Sequence, residues 1–425
     1  MIPERPCLRG FLDLLPVQIE VDGGEEQVYA LKDPFRLAEG NLFLPPAGLA
    51  LASLLDGTRT IAEVQGEFRA RYGVQPPLTE VQQLLAGLQE AYLLEGPHLQ
   101  AFVESFASAS VRPAACIGNY PGEPRELARF LDAQFTREGG PGGKPGEGAP
   151  LAAGHVRGLI SPHIDLHRGG HSYAWAWRAI AEACQAEVFV IFGTSHAGTG
   201  SILRPLDAQS PIYALTRKTF QTPLGELPVE TELLDRLLAA YQGSPEEELF
   251  AGEFHHRGEH SIEFQAVYLA HLFARRRPVR ILPVLCGNIQ HLEGAPRDDP
   301  RFARFHDALR EALEPIPREK VTFVAGIDLA HVGAQFHEPP VDEQALRDVE
   351  TRDRETLRLA LEERSAEAVH EDIRRDGDPR NICGHSALVA MLEALREEPL
   401  DGRLLHYDRW HDGVSAVSFA AGMYT

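Results

Sequence analysis

The chain reads as an α/β protein with a mostly parallel sheet covered by helices, preceded by a small winged-helix (α+β) domain. Three observations predict this. Beyond residue 150, apolar runs of strand length alternate with helical patterns. Those runs are continuous in Val, Ile, Leu and Phe, as strands covered on both faces must be. The first hundred residues instead carry short amphipathic helices beside strand-like stretches, and 425 residues suit two domains.

Strand-like segments Gln27–Leu31 and Asn41–Pro45 precede a helix from Pro46 to Leu55, which a turn at Asp56-Gly57 closes. A second helix, Thr60–Tyr72, places Ile61, Val64 and Phe68 at helical spacing. A third, Thr79–Ala91, puts Val81, Leu84, Leu85 and Leu88 on one face before the apolar Tyr92-Leu93-Leu94. That is the order of a winged helix. Glu138–Pro150 (EGGPGGKPGEGAP) can form neither helix nor strand and reads locally as a domain linker. The apolar runs after it are Val156–Ser161, Val188–Gly193, Val279–Cys286, Val321–Ile327 and Val414–Ala420. Helical patterns fall at Ala174–Cys184, Glu230–Tyr241, Ser261–Arg275 and Asp342–Leu361.

Acidic residues number 62 against 41 basic, a net charge of −21. With no Lys/Arg block to interrupt it, this balance excludes a basic nucleic-acid-binding face and disfavours docking on anionic membranes. The winged helix itself carries Glu63, Glu67, Glu80 and Glu90, so protein or peptide docking fits it better than DNA. The five cysteines are scattered, without a CxxC, and make no disulfide framework. Charges interrupt the N-terminal MIPERPCLRGFLDLL where a signal peptide needs an apolar stretch, and no run of about 18 apolar residues occurs. A soluble cytoplasmic protein with no membrane segment is expected.

Ligands of open α/β sheets bind outside the carboxyl ends of the strands. Pro162-His163-Ile164-Asp165 follows the first run, Thr194-Ser195-His196 the second, and Asp328-Leu329-Ala330-His331 the fourth. Three polar exits, each with a histidine, converge on one edge. Cys286, after the third run, reads as a buried small hydrophobe. Glu259-His260-Ser261-Ile262-Glu263 opens a helix with His260 and Glu263 on one face. Asn381-Ile382-Cys383-Gly384-His385 precedes a helix over Ser386–Leu395, where the dipole favours a thiolate at Cys383. A serine hydrolase is disfavoured because Ala197 stands where G-x-S-x-G needs glycine, and no P-loop or G-x-G-x-x-G occurs. His256-Arg257-Gly258-Glu259-His260 matches the inverted zinc-protease motif H-x-x-E-H, although Gly258 costs the supposed ligand helix about 1 kcal/mol relative to Ala.

Two resemblances follow. LLDGTRTIAEV with LLAGLQEAYLLE, within Leu31–Glu95, resembles the PqqD-like family of winged-helix modules that hold peptide substrates for modifying enzymes. From about Val111 to Thr425, the motifs RPAACIGNYP, SPHID, FGTSHA, GEHSIEFQ, GIDLAHVG, NICGHSAL and WHDGVSAVSFAAG resemble, in order, the Memo family. This is component B of the AmmeMemoRadiSam system, with a fold akin to class III extradiol dioxygenases. The resemblance implies a docking module over 1–105 and a metal-binding α/β domain over 111–425. Arg112–Pro121 becomes that domain's opening strand, followed by a helix at Glu126–Gln134, and 138–150 becomes an internal loop.

The resemblance also implies metal ligands at His163, His196 and Cys383, with His260, Glu263, Asp328 and His331 forming the rest of the pocket. The metal implied is Fe(II), with Cu or Zn as alternatives. Two departures stand out: His163-Ile164-Asp165-Leu166 replaces the family's common His-Ala-Gly-Tyr, and His385 stands where arginine is frequent. Asp165 either completes a 2-His-1-carboxylate site or caps a loop amide. Two function classes stay open. One is a non-haem iron oxidoreductase or ring-cleaving relative acting on a small molecule, with His260 as acid/base and Asp328 and His331 positioning substrate. The other is a metal-dependent scaffold that captures a peptide or partner for a radical-SAM protein. The inverted zinc protease stands third.

Overall fold

The computed structural model describes the chain apart from residues 1, 11, 22–23, 36, 38–39, 41, 153, 204–209 and 275. Asn41 and Arg275, ends of two predicted elements, lie outside the described residues. Two compact units divide the chain: Met1–Ala109 with Ile202–Pro205, and Ser110–Ser201 with Leu206–Thr425.

The first unit opens with strands β1 (Asp13–Val21), β2 (Gly24–Lys32) and β3 (Leu42–Leu44), an antiparallel sheet in that order. Helices α1 (Pro46–Ala52), α2 (Ile61–Tyr72), α3 (Leu78–Glu90) and α4 (Pro97–Ser108) follow. Thr60 and Glu63 form a reciprocal capping box at the start of α2, and Gly73 ends the helix in the left-handed region. Val64, Phe68, Val81, Leu85 and Leu88 pack with Leu31 and Leu44 into one core, as their spacing predicts. The apolar strand expected at Tyr92-Leu93-Leu94 contracts to a single bridge from Leu94 to Leu8. The reason is local: Tyr92 is left-handed at φ 56°, and the Leu93 amide turns back onto Leu88 O at 2.8 Å.

The second unit begins with β4 (Val111–Arg112), α5 (Pro124–Gln134), β5 (Gly158–Ser161), α6 (Leu166–Ala183) and β6 (Val188–Thr194). Short strands β7 (Tyr213–Leu215), β8 (Thr219–Thr222) and β9 (Gly225–Leu227) precede α7 (Thr231–Ala240), α8 (Pro245–Glu248) and α9 (His260–Phe273). Then come β10 (Arg280–Cys286), α10 (Pro300–Leu313), β11 (Val321–Gly326) and β12 (His331–Gly333). Helices α11 (Glu343–Arg358), α12 (Ala366–Arg374) and α13 (His385–Ala394) lead to β13 (Gly402–His411) and β14 (Ser415–Tyr424). None of the described helices is long and apolar enough to cross a membrane.

The main sheet runs β12-β14-β5-β11-β6-β10-β7, with β13 paired to β14. Its centre, β5-β11-β6-β10, is parallel, and the flanking pairs are antiparallel. Both faces are covered, which explains the unbroken apolar runs. Val190 and Phe192 of β6 join one core with residues of α7, α10 and α13. Phe189 and Ile191 join another with residues of α6 and α9. Strand β11 inserts between β5 and β6, so the three histidine-bearing exits leave adjacent strands.

The Arg112–Pro121 opening strand shortens to Val111–Arg112, because Pro113 has no amide to donate and the next turn serves another purpose described below. Segment 138–150 is laced to α6: Trp175 Nε1 donates to Gly139 O at 2.9 Å and Arg178 to Pro141 O at 3.0 Å. Strand β13 escaped the sequence reading because LLHYDRWH is too polar for a covered strand, and it is a half-buried edge strand.

Two glycines let segments approach the strand ends. A Cβ on Gly326 would meet Ser261 O at 2.7 Å, and one on Gly384 would meet Asp328 O at 2.5 Å. Gly384→Ala is therefore expected to destabilise the protein by about 1–3 kcal/mol. Gly66→Ala, exposed within α2 with open space around it, should stabilise by up to about 1 kcal/mol. Urea denaturation of the two variants beside the parent chain checks both signs.

Candidate metal centre

Residues from the carboxyl ends of β5, β6 and β11 and from the starts of α9 and α13 meet at one place. The ligand-capable atoms of His163, His196 and His260 all lie within 4.8 Å of one another. Cys383 Sγ lies 3.1 Å from His163 Nε2 and 3.9 Å from His331 Nε2. The loop bearing Cys383 is fixed from below: Ile382 N–H donates to Asp378 at 2.9 Å, and His331 N–H to Arg380 O at 2.7 Å. Arg380 itself is buried against Asp353 and Asp372.

The Nδ1 atoms explain the arrangement. That of His163 donates to Gly326 O at 2.9 Å and that of His331 to Leu329 O at 3.0 Å. Those of His196 and His260 each lie 3.1 Å from the Glu259 carboxylate. In a neutral imidazole, an Nδ1–H engaged in this way leaves Nε2 as a lone pair. Acceptors behind the rings thus set the tautomer of every histidine in the cluster, the pattern that accompanies metal-ligating histidines.

Charge follows from the same contacts. Burial pushes the Cys383 thiol up, but the His163 and His331 charges outweigh it and hold it well below the usual thiol range. Burial pulls His163 down, yet Cys383 and Asp328 raise it to about 9. Burial likewise opposes the rise of His196, which Glu259 drives well above the ordinary value. His260 goes the other way, with burial outweighing Glu259. A thiolate, with imidazoles whose Nε2 becomes a lone pair once a metal displaces its proton, makes a donor set that suits Zn, Fe or Cu.

Not every residue expected in the pocket points into it. Asp165 caps α6, accepting from His167 N–H at 2.7 Å, and among the described residues it is not one of the side chains gathered with His163 and His196. Asp328 is buried beside the cluster; it accepts the His163 backbone N–H at 3.0 Å and lies 3.6 Å from His163 Nε2. Glu263 is engaged elsewhere. Its carboxylate pairs with Arg112, accepts the Tyr120 hydroxyl, and takes the Ala115 and Cys116 amides at 3.1 and 2.9 Å. The shortened opening strand turns in order to present those amides. His256 bonds Ala214 O at 2.9 Å from a 3-10 turn, Glu253–Arg257, separate from α9. The H-x-x-E-H histidines therefore do not share a helix. His385 faces His370, with 2.9 Å between their nitrogens.

Glu259 is the functional residue the sequence reading passed over. It caps α9 through the His260 and Ser261 amides, takes the His196 amide at 3.0 Å, and holds two imidazoles. Its signals were an acidic residue at a helix N-cap and its place in the H-x-x-E-H match, neither of which points to a carboxylate behind two imidazoles. Beside the cluster lies a cavity of about 270 Å³, lined by Ser195, His196, Asn288, Gln290, Cys383 and His385 among others. A larger one, about 330 Å³, lies around Arg157 and Arg318 where the strands begin, at the end of the sheet away from these histidines.

The structure is an α/β sheet with imidazoles and a cysteine, side chains that could hold a metal ion, gathered at its central strand ends. The family model described as Memo-like protein matches residues 112–423, and the chain belongs to the Memo-like family. A MEMO1 family protein of Aquifex aeolicus is 26% identical over 93% of this chain and 96% of its own length. Another, of Thermus thermophilus, is 29% identical over 80% of this chain and 91% of its own length. The Aquifex alignment covers more than the second unit alone, so it extends into the first.

The buried Arg112–Glu263 pair yields a pH signature. Burial raises the Glu263 carboxyl, but Arg112 overrides it and holds it below the usual range. The stabilisation is therefore fully present above the unfolded value of about 4.3 and is lost as pH falls through the lower folded value. Glu263→Gln should destabilise by about 3–5 kcal/mol at neutral pH, with the gap to the parent closing in acid, as measured by denaturant midpoints across pH.

Proposed function

We propose that the second unit binds one metal ion through His163, His196 and Cys383 and uses it as a non-haem iron oxidoreductase akin to ring-cleaving dioxygenases, acting on a small molecule admitted through the adjoining cavity. One observation carries the reading: acceptors on Nδ1 leave the Nε2 atoms of His163 and His331 facing the Cys383 sulfur, with His196 and His260 gathered beside His163. The donor set fits Fe(II), with Cu or Zn as alternatives. A bound iron supplies electron transfer and activation of oxygen.

The remaining steps belong to the chain. His260, held low by burial, is neutral near pH 7 and takes a proton from substrate at Nε2 while Glu259 steadies Nδ1. Asp328 fixes the His163 backbone, and His331 Nε2 lies 3.9 Å from the Cys383 sulfur. Asn288 and Gln290 line the cavity; they bond to one another and Gln290 to Asp378, which gives it a fixed polar wall for a polar substrate.

Anaerobic loading with ferrous iron, followed by elemental analysis and turnover assays on catechols and small thiols, tests this. His163→Ala, His196→Ala and Cys383→Ser are expected to lose the iron. Glu259→Gln should weaken it about 10–100-fold. His260→Gln should retain metal and lose about 10²–10⁴ in turnover. Loss of iron from His260→Gln together with full retention in Cys383→Ser would replace the thiolate by the third imidazole. Stoichiometric iron in His163→Ala would end the proposal.

A further inference from the structure

Away from that centre, a second group of side chains converges where α6 lies over β13. His406 and Asp408 are two apart on β13 and so project from the same face of the strand. His171, from α6, comes down onto that face. The ligand-capable atoms of these three residues all lie within 4.8 Å of one another. None of them belongs to the first cluster.

We propose that His171, His406 and Asp408 form a second metal site, for a divalent ion of the zinc class, that clamps the edge strand β13 to α6. Two imidazoles and one carboxylate make an N,N,O donor set, which suits Zn²⁺ or Cu²⁺ and is wrong for the all-oxygen shells of Mg²⁺ or Ca²⁺. Tetrahedral zinc with bonds of about 2.0–2.1 Å spaces its ligands at about 3.3–3.5 Å, so the His171–Asp408 contact, now 2.6 Å, opens by under an ångström as the ion replaces the shared proton, while no other spacing in the group exceeds 4.8 Å. The rings are already oriented. Ser172 Oγ lies 2.8 Å from His406 Nδ1, and among the described residues no hydrogen bond uses His406 Nε2. Trp175 stacks on the His406 ring at 5.8 Å, and Phe419 packs against His171 at 6.0 Å.

His171 is the buried member of the group. Its side chain is 9% exposed, its Nε2 lies 2.6 Å from Asp408, and among the described residues its Nδ1 has no hydrogen-bond partner. A His–Asp pair built only to fasten helix to strand has no reason to be joined by a second imidazole whose Nε2 stands idle. The Asp408 side chain is 43% exposed, which gives an ion its entry path and leaves a coordination position to water.

The test uses the untagged full-length chain, stripped by chelator and titrated with zinc sulfate by calorimetry, and in parallel with cobalt(II) by absorption spectroscopy. His163→Ala/Cys383→Ser disables the first centre. In that background one zinc equivalent should remain, its cobalt adduct lacking the thiolate charge-transfer band that Cys383 would give. His406→Gln or the isosteric Asp408→Asn should then weaken the remaining zinc about tenfold or more. Zinc should raise the melting temperature of the parent chain more than that of His406→Gln. Because His406 and Asp408 are only half-buried, circular dichroism of the metal-free variants should match the parent. If the disabled background binds no zinc, or binds it equally with and without His406 and Asp408, the three residues are a hydrogen-bonded tether only and the proposal falls. Either result leaves the reading of the first centre untouched, since that is measured through Cys383.

Discussion

One buried guanidinium underlies the histidine cluster. Arg112 donates to His256 O at 2.7 Å and Glu259 O at 3.0 Å, and it pairs with Glu263 one turn into α9. The turn before α9, the start of α9 and the opening of the second unit are thereby held by one side chain. Glu259 lies on that turn, and Glu259 in turn holds His196 and His260. Removing an arginine from such a place leaves a buried carboxylate without its countercharge and three carbonyls without this donor, which is why buried pairs are costly to break singly.

The same economy sets the chemistry. Gly326 and Leu329 are main-chain positions at and just beyond the end of β11, and their carbonyls are free because the parallel ladder stops there. They accept from His163 and His331. The end of the sheet thus provides both the open space and the acceptors that decide which imidazole nitrogen faces it. Where no carbonyl is available, Glu259 substitutes, and its charge raises His196 as a carbonyl could not.

The fold was legible in the sequence where one physical signal dominated. Val188–Gly193 and Val321–Ile327 are buried on both faces, so their apolar runs could be read without knowing their neighbours. Position after a strand end located His163, His196 and His331, and a helix start located Cys383. What the sequence did not disclose depends on partners distant in the chain. Glu263 shares a helical face with His260 by spacing, yet Arg112 claims its carboxylate across a separation of 151 residues. Asp165 resembled a ligand only until the adjoining helix required a cap. Glu259 was hidden because a capping carboxylate and a carboxylate that orients imidazoles look the same in one dimension. Strand β13 was hidden because an edge strand need not be apolar.

The insertion of β11 between β5 and β6 has a consequence for how the molecule is made. During synthesis β5 and β6 emerge first, but they cannot pair with each other in the final sheet, because the strand that separates them appears more than a hundred residues later. His163 meets Cys383 across 220 residues of chain. Contacts of such separation form late and slowly, because a long loop must close before any gain arrives. Until β11 has left the ribosome the facing edges of β5 and β6 stand unpaired, and until Cys383 follows the histidines stand without their sulfur partner. The nascent chain is thus most open to aggregation and to stray metal during that interval.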